Sequence, residues 1–154
     1  EVFLQPEAKA HESALRAIAE ADLIVIGPGD LYTSVIPNLL VDGVSEALRK
    51  AQAKLVYVCN MMTKNGETNG YTVTKFVSEI EHYIGRKVDS ILCHENGLDQ
   101  EKLVRYAQKK QFPVVPDMNS DTRVVCTKLA SETDFIRHDP QKLAKELMKL
   151  VNNL

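Results

Sequence analysis

The sequence predicts an α/β fold, a Rossmann-like and mainly parallel sheet with helices on both faces. Short β-branched runs alternate with stretches whose apolar residues recur at helical spacing, the pattern of a parallel sheet covered by helices. The strongest run, Asp22–Ile26, reads Asp-Leu-Ile-Val-Ile and stops abruptly at Gly27-Pro28-Gly29. The length of 154 residues suits one compact domain, residues 1–154, with 44% hydrophobic and 26% charged residues, close to ordinary globular usage.

In chain order, Val2–Leu4 reads as a strand remnant and Glu12–Glu20 as a helix with Leu15, Ile18 and Ala19 on one face. The opening Glu1-Val2-Phe3-Leu4-Gln5-Pro6 has neither an initiator Met nor a signal-peptide pattern. It reads like a strand entered partway, so an N-terminal part of the fold is expected to lie outside this chain. After the strand Asp22–Ile26, the next helix is expected over Gly43–Ala51 and the next strand over Lys54–Cys59. Thr72–Ile84 is helical in pattern, with Phe76, Val77, Ile80 and Ile84 on one stripe, and Val88–Cys93 is a buried strand. Asp99 suits a helix cap, the helix reaching about Gln111. Val114–Val115, between Pro113 and Pro116, suits an edge strand. Arg123–Leu129 and Asp134–Ile136 finish the strands. Asp139-Pro140 opens a last helix whose stripe is Leu143, Leu147, Leu150 and Val151.

Composition narrows the function. A formal net charge of −2 argues against a nucleic-acid partner, which needs clustered Lys and Arg. No apolar run approaches the ~18 residues of a membrane span. The three cysteines, Cys59, Cys93 and Cys126, lie at wide spacings beside strand-like residues, which predicts buried thiols rather than a disulfide framework or zinc site.

Two segments are candidates for chemistry. Gly27-Pro28-Gly29-Asp30-Leu31-Tyr32-Thr33-Ser34 follows a buried strand, where doubly wound sheets bind ligands beyond the carboxyl ends. Glycine lets a backbone approach a phosphate, and a helix start favours anions. Asp30 would repel a phosphate unless a cation intervened; its plainer role is to cap a short helix that Pro37 interrupts. The second segment, Asn60–Thr72, is long for a strand-to-helix connection, and its amides and hydroxyls suit a polar ligand. The plainer alternative is a solvated loop with Thr72 or a neighbour capping the next helix. No Gly-Lys-Ser/Thr closes it, so it is not a Walker loop.

Other side chains have two readings each. Arg137 can clamp a phosphate or form an ion pair, and Tyr106 can stack on a base or pack in the core. His94 can act as a base, with a structural role as its rival; His11 and His82 fall on presumed helices without metal-binding spacing.

The stretches Ala21–Ser34, Ile36-Pro37-Asn38-Leu39-Leu40, Val56-Tyr57-Val58-Cys59-Asn60 with Met62-Thr63, and Gly66-Glu67-Thr68-Asn69-Gly70-Tyr71 resemble the C-terminal half of the YvcK-type gluconeogenesis factors. These form a branch of the CofD-like (UPF0052) family. The resemblance implies a CofD-like Rossmann-type fold, a cytoplasmic location and a link to cell shape during gluconeogenic growth. It implies a nucleotide-sugar ligand of the UDP-N-acetylglucosamine kind, and leaves homo-oligomers and regulatory protein partners open. Its CofD relatives transfer a phospholactyl group to a deazaflavin using a guanine nucleotide and magnesium. The family's glycine-rich loop, Gly-Gly-Gly-Thr-Gly, has no counterpart here, and Asp30 stands where many relatives carry Ser.

The expected function is therefore a non-catalytic sugar-nucleotide-binding regulator of cell-wall precursor supply, with no cofactor and no resident metal. Gly27, Gly29, Asp30 and Tyr32 would form one wall, Asn60, Thr63 and Thr68 the loop beside it, with Tyr106 and Arg137 completing the site. The alternatives are a CofD-like transferase, in which Asp30 helps hold Mg2+, and a protein-interaction scaffold.

Overall fold

The computed structural model describes residues 2–151. Its centre is a four-stranded sheet in the order β1-β2-β3-β4, formed by β1 (Leu23–Ile26), β2 (Lys54–Val58), β3 (Ser90–His94) and β4 (Val124–Thr127). Every pairing is parallel, with Val25 beside Val56, Tyr57 beside Ile91 and Cys93 beside Cys126. All four carboxyl ends consequently open on one edge.

The helices are α1 (Glu12–Glu20), α2 (Ile36–Leu39), α3 (Val44–Lys50), α4 (Val73–Ile84), α5 (Gln100–Gln108) and α6 (Pro140–Val151). Side chains alternate across a strand, and β2 shows the consequence. Leu55, Tyr57 and Cys59 pack on one face with Leu39 of α2, Leu48 of α3 and Phe76, Ile80 and Ile84 of α4. Val56 and Val58 pack on the other with Leu103 and Tyr106 of α5 and Leu143, Leu147 and Leu150 of α6. Being covered on both faces makes β2 a near-continuous apolar run, with Leu55 through Val58 at most 1% exposed.

Local chemistry sets the helix ends. Asp99 accepts the Lys102 amide at 2.9 Å, the cap expected of it. Asp139 accepts the amides of Gln141 and Lys142 at 2.9 and 3.0 Å. Gly85 ends α4 at φ +74°, a left-handed position where a side chain would be strained.

Several expectations change. Val2–Leu4 forms no strand; the early chain instead bridges Lys9 to Asp42. Val114–Val115 is not a strand either. Residues 112–117 run over the carboxyl edge from α5 to α4, with Val114 donating to the Met61 carbonyl at 2.9 Å and Asp117 accepting the Thr74 amide at 2.9 Å. Asp117, not the Thr72 side chain, therefore supplies the cap of α4. Asp134–Ile136 lies in a turn closed by the Ala130–His138 bridge. The helix after Asp99 ends at Gln108 rather than Gln111. His11 caps α1 through Nδ1, which accepts the Ser13 amide at 3.2 Å, instead of lying within the helix. Leu31–Val35 forms a π-helical turn that passes directly into α2, and Pro37, one residue past the junction, marks where the helix changes type.

The cysteine expectation is also corrected. Cys59 is a buried free thiol, its pKa pushed up to about 12 chiefly by burial. Cys93 and Cys126, however, form a disulfide across β3 and β4. They are register partners with Cα atoms 4.8 Å apart, an adjacency their separation of 33 residues conceals.

Candidate functional site at the carboxyl edge

The loop after β1 and the long loop after β2 meet at the carboxyl edge and are bonded to each other. Asn60, immediately after β2, accepts the Gly29 amide at 3.2 Å and donates to the Gly29 carbonyl at 2.7 Å. The Tyr32 amide donates to Glu67 Oε1 at 2.6 Å, and the hydroxyls of Tyr32 and Tyr71 lie 2.8 Å apart. Lys64 pairs with Asp30 and lies 3.4 Å from Glu67 Oε2. That oxygen has no hydrogen bond, so its charge is balanced by proximity rather than a directional contact.

Lys64 answers the electrostatic objection raised by Asp30. The ammonium compensates that carboxylate, and the Asp30 hydrogen bond is the main cause raising the Lys64 pKa. Asp30 does contribute to the following helical turn, but through its backbone carbonyl, which accepts the Ser34 and Val35 amides at 2.8 and 3.1 Å. Its side chain makes no cap bond.

Beside these loops is an open cleft of about 470 Å³ bordered by Gly29, Asp30, Asn60, Ile136, Arg137 and His138. Arg137 is exposed and stacks its guanidinium 5.2 Å from the Phe135 ring centroid. Burial lowers the His138 pKa most, a neighbouring Cys59 carbonyl opposes the shift, and the charge of His94 adds to it. Burial likewise lowers His94. Both imidazoles are therefore neutral donor–acceptor groups at neutral pH.

The structure thus gathers Gly29, Asp30, Asn60 and Arg137 around one opening. Gly27 borders an adjoining apolar hollow with Ile24 and Val35. Tyr32 lies between the loops, where burial raises its hydroxyl pKa most, followed by Tyr71 and Glu79. Thr63 is 3% exposed and its hydroxyl accepts the Phe112 amide at 2.9 Å. Thr68 is 1% exposed and accepts the Lys64 amide at 2.9 Å, closing its own loop. Tyr106 packs on the α5–α6 face, where its hydroxyl accepts the Ile136 amide at 3.2 Å.

Sequence reading did not single out Lys64 or His138. Lys64 stands inside the loop already chosen, and its partner Asp30 was visible as a charge needing a cation. His138 adjoins Arg137, but only the Ala130–His138 bridge reveals its place on the cleft.

Among the described residues, no group of three or more His, Cys, Asp or Glu could hold a metal ion. The same residues include no helix long and apolar enough to cross a membrane.

The sequence pattern of 2-phospho-L-lactate transferase CofD matches residues 1–133. A relative from Nostoc sp. is 45% identical over 145 residues, covering 89% of this chain and 32% of its own length. A protein named gluconeogenesis factor from Halalkalibacterium halodurans is 39% identical over 155 residues, covering 96% of this chain and 48% of its own. The crystal structure of a UPF0052 family member from Bacillus halodurans superposes with a TM-score of 0.89 at 39% identity, over 95% of this chain and 49% of that one. This chain spans from about a third to about half the length of these relatives.

Proposed function

The chain belongs to the CofD family, and from that premise we propose that it forms part of a non-catalytic nucleotide-sugar-binding regulator. The proposed ligand is a UDP-sugar of the UDP-N-acetylglucosamine kind. Its role would be control of cell-wall precursor supply and cell shape during gluconeogenic growth. The observation carrying this reading is the convergence of Arg137, Asn60 and the Gly29 backbone on one cleft at the carboxyl edge. A guanidinium meets two phosphate oxygens in one plane, which suits a diphosphate better than a compact ammonium does. Asn60 carries an amide that can exchange its bonds with Gly29 for bonds to a sugar or base.

The gluconeogenesis-factor name of the relative supports the physiological setting. The family's transferase description favours a second reading, phospholactyl or nucleotidyl transfer. Magnesium does not fit the described edge well. Asp30 is the carboxylate bordering the cleft, and Lys64 already occupies it with a positive charge. No catalytic step is therefore derived through a metal.

Calorimetric titration of UDP-N-acetylglucosamine into the full-length protein tests the binding. Arg137→Ala should weaken affinity by at least about tenfold, and Arg137→Lys should restore part of it. Thermal unfolding should change little, since Arg137 is exposed. Unaltered affinity in Arg137→Ala would remove the cleft from the reading. Turnover of a guanine nucleotide donor with a deazaflavin acceptor would establish the transferase instead.

A further inference from the structure

On the other side of the turn that carries Arg137 lies a second cavity, of about 380 Å³, which the nucleotide-sugar reading does not use. It is enclosed by the end of β3, the Asn96–Asp99 segment before α5, residues 128–132 after β4, and the first turn of α6. Ile136 borders both cavities, while Gly29, Asp30, Asn60 and Arg137 border the cleft and not the second cavity.

The polar lining is dominated by donors. Lys102 Nζ donates to the Thr133 carbonyl at 2.6 Å, and Lys142 Nζ to the Ala130 carbonyl at 2.9 Å. Neither ammonium has a carboxylate partner among the described residues. Each ammonium has three N–H donors and spends one on its carbonyl. Both lysines are half-buried, so their charge is less screened than on an open surface. His94 Nδ1 accepts the Leu129 amide at 3.0 Å, which places the proton of the neutral imidazole on Nε2. That ring therefore offers a further N–H.

Two carboxylates, Asp99 and Glu132, also border the cavity, against the three lysines Lys102, Lys128 and Lys142. Asp99 accepts the Lys102 backbone amide, and Glu95 lies 4.0 Å from the exposed Lys128. Glu132 is exposed at the rim. Leu98, Ala130 and Ile136 give the cavity an apolar wall. Its volume lies in the range of small-molecule sites and exceeds what a bare oxyanion fills.

We propose that this cavity binds a small phosphate monoester, with Lys102, Lys142 and the His94 imidazole around the phosphate and the organic body against Leu98 and Ile136. The phosphate would take up donors that now lack acidic partners, and charge-assisted bonds of this type are the stronger ones. The site is independent of the nucleotide-sugar cleft, although the turn between Ala130 and His138 forms a wall of each.

Calorimetry with glycerol 3-phosphate on the full-length protein provides the test, with malate as a dicarboxylate of comparable charge. Saturable, salt-sensitive binding of the phosphate ester is expected. Lys142→Gln should weaken it by at least about tenfold. Because Lys142 also holds the Ala130 carbonyl, Ser131→Asp supplies a second variant. Its carboxylate would face the same lysines, so binding should fall at least about tenfold while the melting temperature holds or rises. Arg137→Ala should leave phosphate-ester binding unchanged even if it abolishes nucleotide-sugar binding. The proposal is overturned by absence of saturable binding, by preference for malate, by unchanged affinity in a folded Ser131→Asp protein, or by loss in Arg137→Ala.

Discussion

Thr63 shows how a polar side chain in a functional-looking loop can be committed to structure. It is 3% exposed, its amide donates to the Phe112 carbonyl at 2.7 Å, and its hydroxyl accepts the Phe112 amide at 2.9 Å. Both bonds tie the loop after β2 to the segment crossing the carboxyl edge. Thr63→Val keeps the shape and removes the acceptor, so it should cost about 1–2 kcal/mol in denaturant unfolding. Nucleotide-sugar affinity should be unchanged, since the hydroxyl faces Phe112. A loss of affinity without a loss of stability would instead assign Thr63 to ligand contact. Lys64, next in sequence, is the opposite case, a half-buried charge joining two loops through Asp30 and Glu67.

The elements around the sheet are joined by arginines at its amino edge. Arg86 donates to the Leu48, Ala51 and Ala53 carbonyls at 3.2, 2.7 and 3.1 Å, supplying acceptors at the end of α3 with a cation. Arg123 bonds Glu81 of α4 at 2.6 Å, Asp121 at 2.7 Å and the Val88 carbonyl at 3.0 Å, binding α4 to the start of β4. Glu81 in turn accepts the Val88 amide at 3.0 Å. These groups are only partly exposed, at 23% for Arg123 and 18% for Glu81, so removing the guanidinium strands a carboxylate. Arg123→Met should cost about 2–3 kcal/mol, below the range for fully buried pairs because some solvent reaches this one. Equilibrium denaturation measures this, and a cost under about 0.5 kcal/mol would place Arg123 among ordinary surface charges.

For the whole molecule, pH links both sites to stability. His94 and His138 have pKa values lowered by burial, so the unfolded chain binds more protons than the folded one as pH drops. Their contribution is fully present above the ordinary histidine value near 6.5 and is lost as pH falls through their folded values. Asp121 adds a second, more acidic window. Its pKa is held at about 2, chiefly by the Arg123 side chain, so its contribution is present above the usual 3.8 and fades below it. Denaturation at pH 7.5 and pH 5.5 should therefore show lower stability at the acidic value, and His138→Asn should reduce the difference. Equal dependence in wild type and variant would mean that His138 titrates alike in both states.

The sequence by itself determined the class of fold and the edge on which the loops lie. Apolar runs mark β1, β2 and β3; β2 and β3 are covered on both faces and so bury nearly every residue, whereas Val25 of the edge strand β1 stays 40% exposed. The Asp99 and Asp139 caps were equally visible, because a cap acts on amides two or three residues away. Gly29, Asp30, Asn60 and Arg137 could be named for their chemistry, though only the tertiary structure gathered them. It also decided what local pattern cannot express. The Cys93–Cys126 pairing is a matter of β3–β4 register, and the commitment of Thr63 to Phe112 depends on a segment 49 residues away. The donors of the second cavity come from β3, α5 and α6, distant stretches brought together by the packing of the sheet. Short-range preferences fix helices, strands and caps one at a time, whereas register and packing fix which side chains share a space.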